Sequence, residues 1–125
     1  MRSTLIVFIG SGIGGALRHL VGLASLRLLG PAFPYGTLAI NVVGSALMGL
    51  VAGLFASFGT GNADLRLFLT TGIIGGFTTW STFSLDTVTL WERGQPVAAI
   101  AYVLGSLTFS LVVIVAMLLA ARRWG

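Results

Sequence analysis

Residues 67–85 carry no charged side chain and are long enough to cross a lipid bilayer, but their middle suits a membrane helix poorly. Residues 72–84 read GIIGGFTTWSTFS, in which three glycines precede a run rich in threonine and serine. Backbone in hydrocarbon must satisfy its own hydrogen bonds, so such an interruption is tolerated only where it is buried in protein or lines a polar pathway. Because broken membrane helices commonly hold ions, this segment is the candidate functional site.

Composition places the whole chain among integral membrane proteins. Of its 125 residues, 56% are hydrophobic and 8% are charged, which is more apolar than a soluble domain requires. The length fits a single domain over residues 1–125 within the lipid bilayer. The basic residues are all arginines, scattered mostly near predicted span ends, which indicates membrane flanks and no binding of nucleic acid. The lack of cysteine excludes disulfides and thiol chemistry.

Four membrane spans are predicted, each of roughly 20 residues. They cover residues 4–26, 37–58, 67–91 and 97–121, and the connectors at residues 30–34, 59–62 and 94–96 carry the glycine and proline breakers. No small-residue cleavage site in a polar setting follows the first span, so we expect it to be retained and not removed as a signal peptide. The even number of spans puts both termini on one side of the membrane.

The arginines are distributed with little bias between the two sides of the membrane. Four lie on the side of the termini, two on the opposite side, and Arg18 lies within the first span. This pattern fits either an ordinary protein with few charges or a chain that inserts in both orientations and pairs antiparallel. Gly10 with Gly14, and Gly72 with Gly76, have the spacing that lets helices approach closely in lipid. We therefore expect an oligomer, most simply a dimer.

Two spans carry polar side chains at four-residue spacing, so each set shares one helix face. The second span has Thr37, Asn41 and Ser45, and the fourth has Tyr102, Ser106 and Ser110. Serine and threonine in membrane helices usually bond the carbonyl four residues back, which explains any single hydroxyl without a function. No local group satisfies the Asn41 carboxamide fully. A helix–helix contact and a polar pathway both remain open for it.

The polar groups of the spans are mainly hydrogen-bond donors. They comprise the amide of Asn41 and the hydroxyls of Thr79, Ser81, Thr82, Tyr102, Ser106 and Ser110. Such groups favour a small, hydrated anion, whereas a proton-coupled drug exporter would need a carboxylate deep in a span. Trp80 and Phe83, three residues apart, either pack or present the positive edges of their rings to an anion. The donor-rich stripes count against a non-conducting helical subunit.

Arg18 lies about 20 Å along the first helix, given a rise of about 1.5 Å per residue. It is expected to reach the headgroups, to bond carbonyls freed in the third span, or to concentrate anions at a vestibule. The neighbouring His19 is interpreted as an interfacial side chain, because no Cys, Asp or Glu partner accompanies it as in a metal site. Nucleophile–base pairs and phosphate loops are not found, so an enzyme is not predicted.

Three motifs of the chain resemble those of the Fluc/CrcB family of fluoride channels. They are GGALRH at residues 14–19, YGTLAINVVG at residues 35–44 and TGIIGGFTTWSTFS at residues 71–84, in the family's order and spacing. The resemblance covers essentially the whole chain. It implies an all-α integral membrane protein with four transmembrane helices and a broken third helix, forming an antiparallel dual-topology homodimer in a bacterial or archaeal inner membrane. It also implies passive fluoride export, with a small-multidrug-type proton-coupled exporter as the alternative.

The resemblance further implies a role for individual residues. Arg18 would sit at a vestibule, and the backbone carbonyls of Gly75 and Thr78 would hold a structural sodium ion at the dimer centre. The two fluoride pores would be lined by Asn41, Trp80, Ser81, Thr82, Phe83, Tyr102, Ser106 and Ser110. The family usually has phenylalanine at the position of Trp80. We expect the bulkier indole to lower conductance and leave selectivity intact.

Overall fold

The computed structural model describes residues 1–58 and 62–124, with the side chains of residues 57, 58 and 124 left out. Every regular element in this part of the chain is helical, which confirms the all-α class. Most of the predicted connector at residues 59–62 lies outside the described residues. The elements are α1 (Arg2–Leu29), α2 (Tyr35–Phe58), α3 (Ala63–Leu67), a π-helical segment (Phe68–Ile74), α4 (Gly75–Phe77), α5 (Trp80–Glu92) and α6 (Pro96–Trp124).

Three helices are long and apolar enough to cross a membrane, judged by length and composition. They comprise Arg2–Leu29, Tyr35–Ala56 and Pro96–Arg123, and they overlap the first, second and fourth predicted spans. The predicted span at residues 67–91 is divided among shorter helical pieces, because Thr78 and Thr79 adopt extended backbone between α4 and α5. No single helix in that region therefore has the length of the other three.

Glycine and proline fix the ends of the long helices. Gly30, directly after α1, and Gly94, after α5, both have positive φ, of 79° and 77°. A residue with a side chain rarely adopts this conformation, which makes glycine the usual residue beyond a helix C-terminus. Pro96 is the first residue of α6, a position where its missing N–H costs nothing. Residues 30–34 lie between α1 and α2, whereas the connection between α5 and α6 covers residues 93–95, because Pro96 already belongs to α6.

The small-residue pairs bring α1 against the π-helical segment and α4. A Cβ added to Gly10 would lie 2.8 Å from the Cα of Gly72, and one added to Gly76 would lie 2.6 Å from the Ser11 carbonyl oxygen. A Cβ on Gly14 would collide with the carbonyl oxygen of Ile73. Close approach of these helices through glycine is thus confirmed. It places the middle of α1 beside the interruption at Thr78 and Thr79.

Helices α2, α5 and α6 pack against one another around the interruption at Thr78 and Thr79. α2 packs along α6, and a Cβ added to Gly53 would lie 2.6 Å from the Cβ of Ala121. α5 packs on α6 through a small cluster in which Phe83, Leu90, Ala99 and Tyr102 are buried. Asn41 on α2, the start of α5 and the middle of α6 consequently face one another.

Candidate functional site

The interruption between α4 and α5 has its own capping arrangement. Thr79 has φ −149° and ψ 124°, and its side chain accepts a hydrogen bond from the Thr82 N–H at 3.2 Å. Threonine is a favoured N-cap residue because its hydroxyl oxygen satisfies one of the N–H groups left unpaired in the first helical turn. The sequence TTWST thus starts a new helix at Trp80.

Asn41 binds the same interruption from α2. Its Nδ2 donates to the carbonyl oxygen of Thr79 at 3.0 Å, and the Thr79 N–H donates to its Oδ1 at 2.9 Å. The carboxamide therefore satisfies both backbone groups of a residue that has left the helix. Of the two roles that the sequence left open for Asn41, a contact between helices is present. This contact occupies only one of the two N–H bonds of the amide.

Two backbone carbonyls lose their usual helical partners at the interruption. In a continuous helix the Thr79 N–H would reach the carbonyl of Gly75, but here it donates to Asn41. Likewise the Thr82 N–H, which would reach the carbonyl of Thr78, donates to the Thr79 hydroxyl. Carbonyl oxygens of this kind are hard ligands that suit an alkali cation. They belong to the two residues predicted to hold sodium.

Arg18 binds the backbone carbonyl of Gly76, a residue that lies between Gly75 and Thr78 in the chain. Its Nε donates to the carbonyl oxygen of Gly76 at 3.3 Å, across the contact between α1 and α4. This is one of the three roles anticipated for Arg18, a bond to a carbonyl near the break. The side chain also lines a cavity of about 390 Å³, together with His19, Thr82, Asp86 and Arg93. One arginine therefore both supports the interruption and contributes positive charge to an open cavity.

A second cavity, of about 310 Å³, lies between α2, α6 and the interruption. No acidic or basic side chain occurs among the described residues that line it. Its polar lining includes Asn41, Ser45, Thr78, Thr79, Ser106 and Ser110. Ser106 is only 4% exposed, and its Oγ has no hydrogen-bond partner among the described residues. A buried hydroxyl without a partner is costly, so a polar group or ion bound in the cavity next to Ser106 would be stabilised by a hydrogen bond.

Aromatic rings continue from this cavity towards the larger one. The ring centroids of Trp80 and Phe83 are 5.2 Å apart, and those of Phe83 and Tyr102 are 5.1 Å apart. Phe83 is buried, whereas Trp80 is 71% exposed in the single chain. The Tyr102 hydroxyl donates to Oδ2 of Asp86 at 3.2 Å. Since a phenol has one hydrogen, Tyr102 has no second donor while this bond persists.

The predicted pore residues thus fall into separate groups. Asn41, Trp80, Phe83, Ser106 and Ser110 line the smaller cavity. Arg18 and Thr82 line the larger one. Tyr102 is not a lining residue of either cavity, but it contacts Phe83 of the smaller cavity and bonds to Asp86 of the larger one. Ser81 is exposed, lines neither cavity, and lies with its Oγ 3.5 Å from the Thr79 hydroxyl.

Two residues of the site were not singled out as site residues from the sequence. From the sequence alone, Thr79 is interpreted only as a hydroxyl, although threonine directly before a helical segment is a usual N-cap residue. Asp86 lies within the predicted third span, and the sequence alone assigns no role to it. Its bond to Tyr102 joins residues sixteen positions apart on different helices, and no local sequence signal predicts that.

Comparison with known proteins identifies the family of this chain. The family described as "CrcB-like protein, Camphor Resistance (CrcB)" matches residues 5–118. A protein of Methylobacterium nodulans named "Fluoride-specific ion channel FluC" is 54% identical over 125 residues, covering 100% of both chains. Proteins of the same name from Mesorhizobium japonicum and Rhodopseudomonas palustris are 48% and 52% identical, over 98% and 86% of each chain. The chain belongs to the CrcB family.

Proposed function

We propose that this chain is a fluoride-selective channel of the bacterial inner membrane, which lets fluoride leave the cell passively. The relatives at about half identity carry that name along their full length, which describes conduction and not an enzymatic reaction. The observation in the molecule that carries the proposal is the buried hydroxyl of Ser106. It has no partner among the described residues, and it lines the same cavity as Asn41, where none of the described lining residues is charged. Donors without charge can bind an anion strongly enough to admit it and weakly enough to release it.

The alternative, a small-multidrug-type proton-coupled exporter, receives no support from these relatives. The smaller cavity contains no carboxylate among the described residues that line it. Asp86, the acidic residue nearest to the site, lines the larger cavity and accepts a hydrogen bond from Tyr102. A proton-coupled site would instead need a carboxylate within the substrate pathway.

The proposed channel is an antiparallel, dual-topology homodimer with two pores. Each chain would span the membrane four times, with residues 67–91 as a broken third helix. The position of Trp80 supports this assembly. Its indole lines the smaller cavity and is 71% exposed, so the cavity is not enclosed at Trp80 in a single chain. A second copy would cover it and complete the pore lining. Ser81, exposed in the single chain, would then lie within reach of an anion.

A structural sodium ion is proposed at the dimer centre. The carbonyls of Gly75 and Thr78 fit it, because the N–H groups that would otherwise bond them donate to Asn41 and Thr79. Two oxygens from one chain cannot complete the shell of a cation, so a second chain would contribute the same pair. When bound, the ion would join the two subunits. Replacing sodium by N-methylglucamine during purification should lower the thermal stability of the dimer, as measured by size-exclusion chromatography after heating.

The deciding experiment is fluoride efflux from liposomes that contain the purified protein, run beside chloride efflux. We expect rapid fluoride release with chloride retained. Ser106→Ala should reduce fluoride flux about tenfold or more, because a hydrogen bond to a charged partner contributes about 1.5–3 kcal/mol. Thr108→Ala, an exposed hydroxyl on the same helix, is the matched control and should leave flux unchanged. Failure of both ions to leave vesicles that contain folded dimer would refute the proposal.

A further inference from the structure

The orientation of the Asn41 carboxamide is fixed by a single backbone residue. Its oxygen accepts from the Thr79 N–H at 2.9 Å and its nitrogen donates to the Thr79 carbonyl at 3.0 Å. A rotation of the amide by a half-turn would place oxygen against oxygen and N–H against N–H. Amide orientations are often ambiguous, but a partner that offers one donor and one acceptor permits only one arrangement.

The donors and acceptors of the carboxamide can be accounted for one by one. Because both bonds go to the same residue, they use Oδ1 and the N–H on the same side of the amide as Oδ1. The N–H on the opposite side remains, and Thr79 is the only hydrogen-bond partner of the Asn41 side chain among the described residues. Asn41 therefore has one free donor, and its oxygen is directed towards Thr79.

The surroundings of Asn41 give this free donor a particular importance. The lining of the smaller cavity has no charged side chain among the described residues, and much of it is apolar, including Met48, Leu107, Leu111 and Ile114. The hydroxyls of Ser106 and Ser110 also line it, but a hydroxyl rotates and offers either a hydrogen or a lone pair. Hydroxyls alone would hence accommodate a cation as well as an anion.

We propose that the backbone of Thr79 holds Asn41 as a fixed donor facing this cavity, and that this orientation determines which sign of charge is accepted. Thr79 is in this sense a positioning residue, and Asn41 is the group that contacts the ion. The inference rests on the proposed conduction of fluoride and adds its source of discrimination against cations. The channel would then discriminate anions from cations through the dipole of the Asn41 carboxamide, which is held in one direction. It would need no ionised side chain in the cavity.

Nuclear magnetic resonance of the asparagine side chains tests the orientation directly. The chain has two asparagines, Asn41 and Asn62, so protein labelled with ¹⁵N-asparagine gives two side-chain signals. Asn62→Ser removes the second and retains a capping oxygen for α3. The two amide protons of Asn41 give separate signals, and we expect that only the one opposite Oδ1 shifts on addition of sodium fluoride relative to sodium chloride. Equal shifts of both protons, a shift confined to the proton on the same side as Oδ1, or no shift of either would overturn the inference.

Ion selectivity gives a second readout. In Asn41→Ser the amide is replaced by a rotatable hydroxyl, so the ratio of fluoride to potassium permeability should fall about tenfold or more, given about 1.5–3 kcal/mol for a hydrogen bond to a charged group. Reversal potentials across a planar bilayer measure this ratio. A ratio equal to that of the wild type would contradict the inference while leaving fluoride conduction intact. A wild-type protein that conducts no fluoride would instead refute the proposed function, and the two failures are therefore distinguishable.

Discussion

The Nε of Arg18 donates to the carbonyl oxygen of Gly76 over 3.3 Å, joining the first long helix to the residues just before the interruption. The bond is partly buried and connects positions 58 residues apart. It gives a side-chain donor to a backbone carbonyl in the last turn before the interruption.

Removing this bond should destabilise the protein. Arg18→Ala is expected to lower the free energy of unfolding by about 1–3 kcal/mol, because a partly buried carbonyl loses its partner. Unfolding in mixed detergent, followed by circular dichroism, measures the change. Arg27→Ala removes an exposed arginine from the same helix and serves as control. Equal stability of the two variants would show that the Arg18 bond contributes nothing.

The contact between α1 and the π-helical segment should be intolerant of a single methyl group. Gly14→Ala would place a Cβ against the carbonyl oxygen of Ile73, and backbone cannot move away cheaply. We expect a loss of at least about 1–3 kcal/mol, seen as a low yield of folded protein. Gly12→Ala, two residues away, adds a Cβ with no atom within 4 Å and should fold normally. Normal folding of both variants would contradict the close approach.

The N-cap at Thr79 should depend on its side-chain oxygen. Thr79→Ala removes the acceptor for the Thr82 N–H and should cost about 0.5–2 kcal/mol of stability. Thr79→Ser retains that oxygen and should behave like the wild type, since both variants keep the backbone bonds to Asn41. Thermal unfolding of the three proteins in one detergent makes the comparison. A serine variant as unstable as the alanine variant would mean that the methyl group, and not the cap, is responsible.

Trp80 should limit the rate of conduction. Trp80→Phe replaces a bulky indole by a smaller ring that keeps its positive edge, so fluoride flux should rise on the order of a few-fold with chloride still excluded. Trp91→Phe, an equally conservative change at an exposed tryptophan on the same helix, is the control and should leave flux as it is. Efflux from liposomes at equal protein content measures both. An unchanged flux in Trp80→Phe would show that the indole does not restrict the pore.

Much of the helical organisation could be predicted from the sequence, because it depends on local chemistry. Gly30, Gly94 and Pro96 mark helix ends through backbone preferences that hold in any context. The spacing of Gly10 and Gly14 predicts close packing, since small residues permit it wherever two helices meet.

The contacts of the site could be predicted only in part. A carboxamide in the second span indicates a partner, but not that the partner is the backbone of Thr79, 38 residues away. The π-helical geometry of residues 68–74 is not signalled by their own sequence. The donation of the Tyr102 hydroxyl to Asp86 likewise arises only when α5 and α6 pack.

The two-residue interruption at Thr78 and Thr79 also shapes the electric field of the molecule. One helical run ends at Phe77 and another begins at Trp80, so a C-terminus and an N-terminus lie side by side. Aligned peptide dipoles leave about half a negative elementary charge at the first end and about half a positive one at the second. Two ions of opposite sign therefore meet favourable potentials a few bonds apart. Arg18 lies at the first of these ends, through its bond to Gly76, whereas no charged side chain among the described residues lines the smaller cavity, which Trp80 borders at the second end.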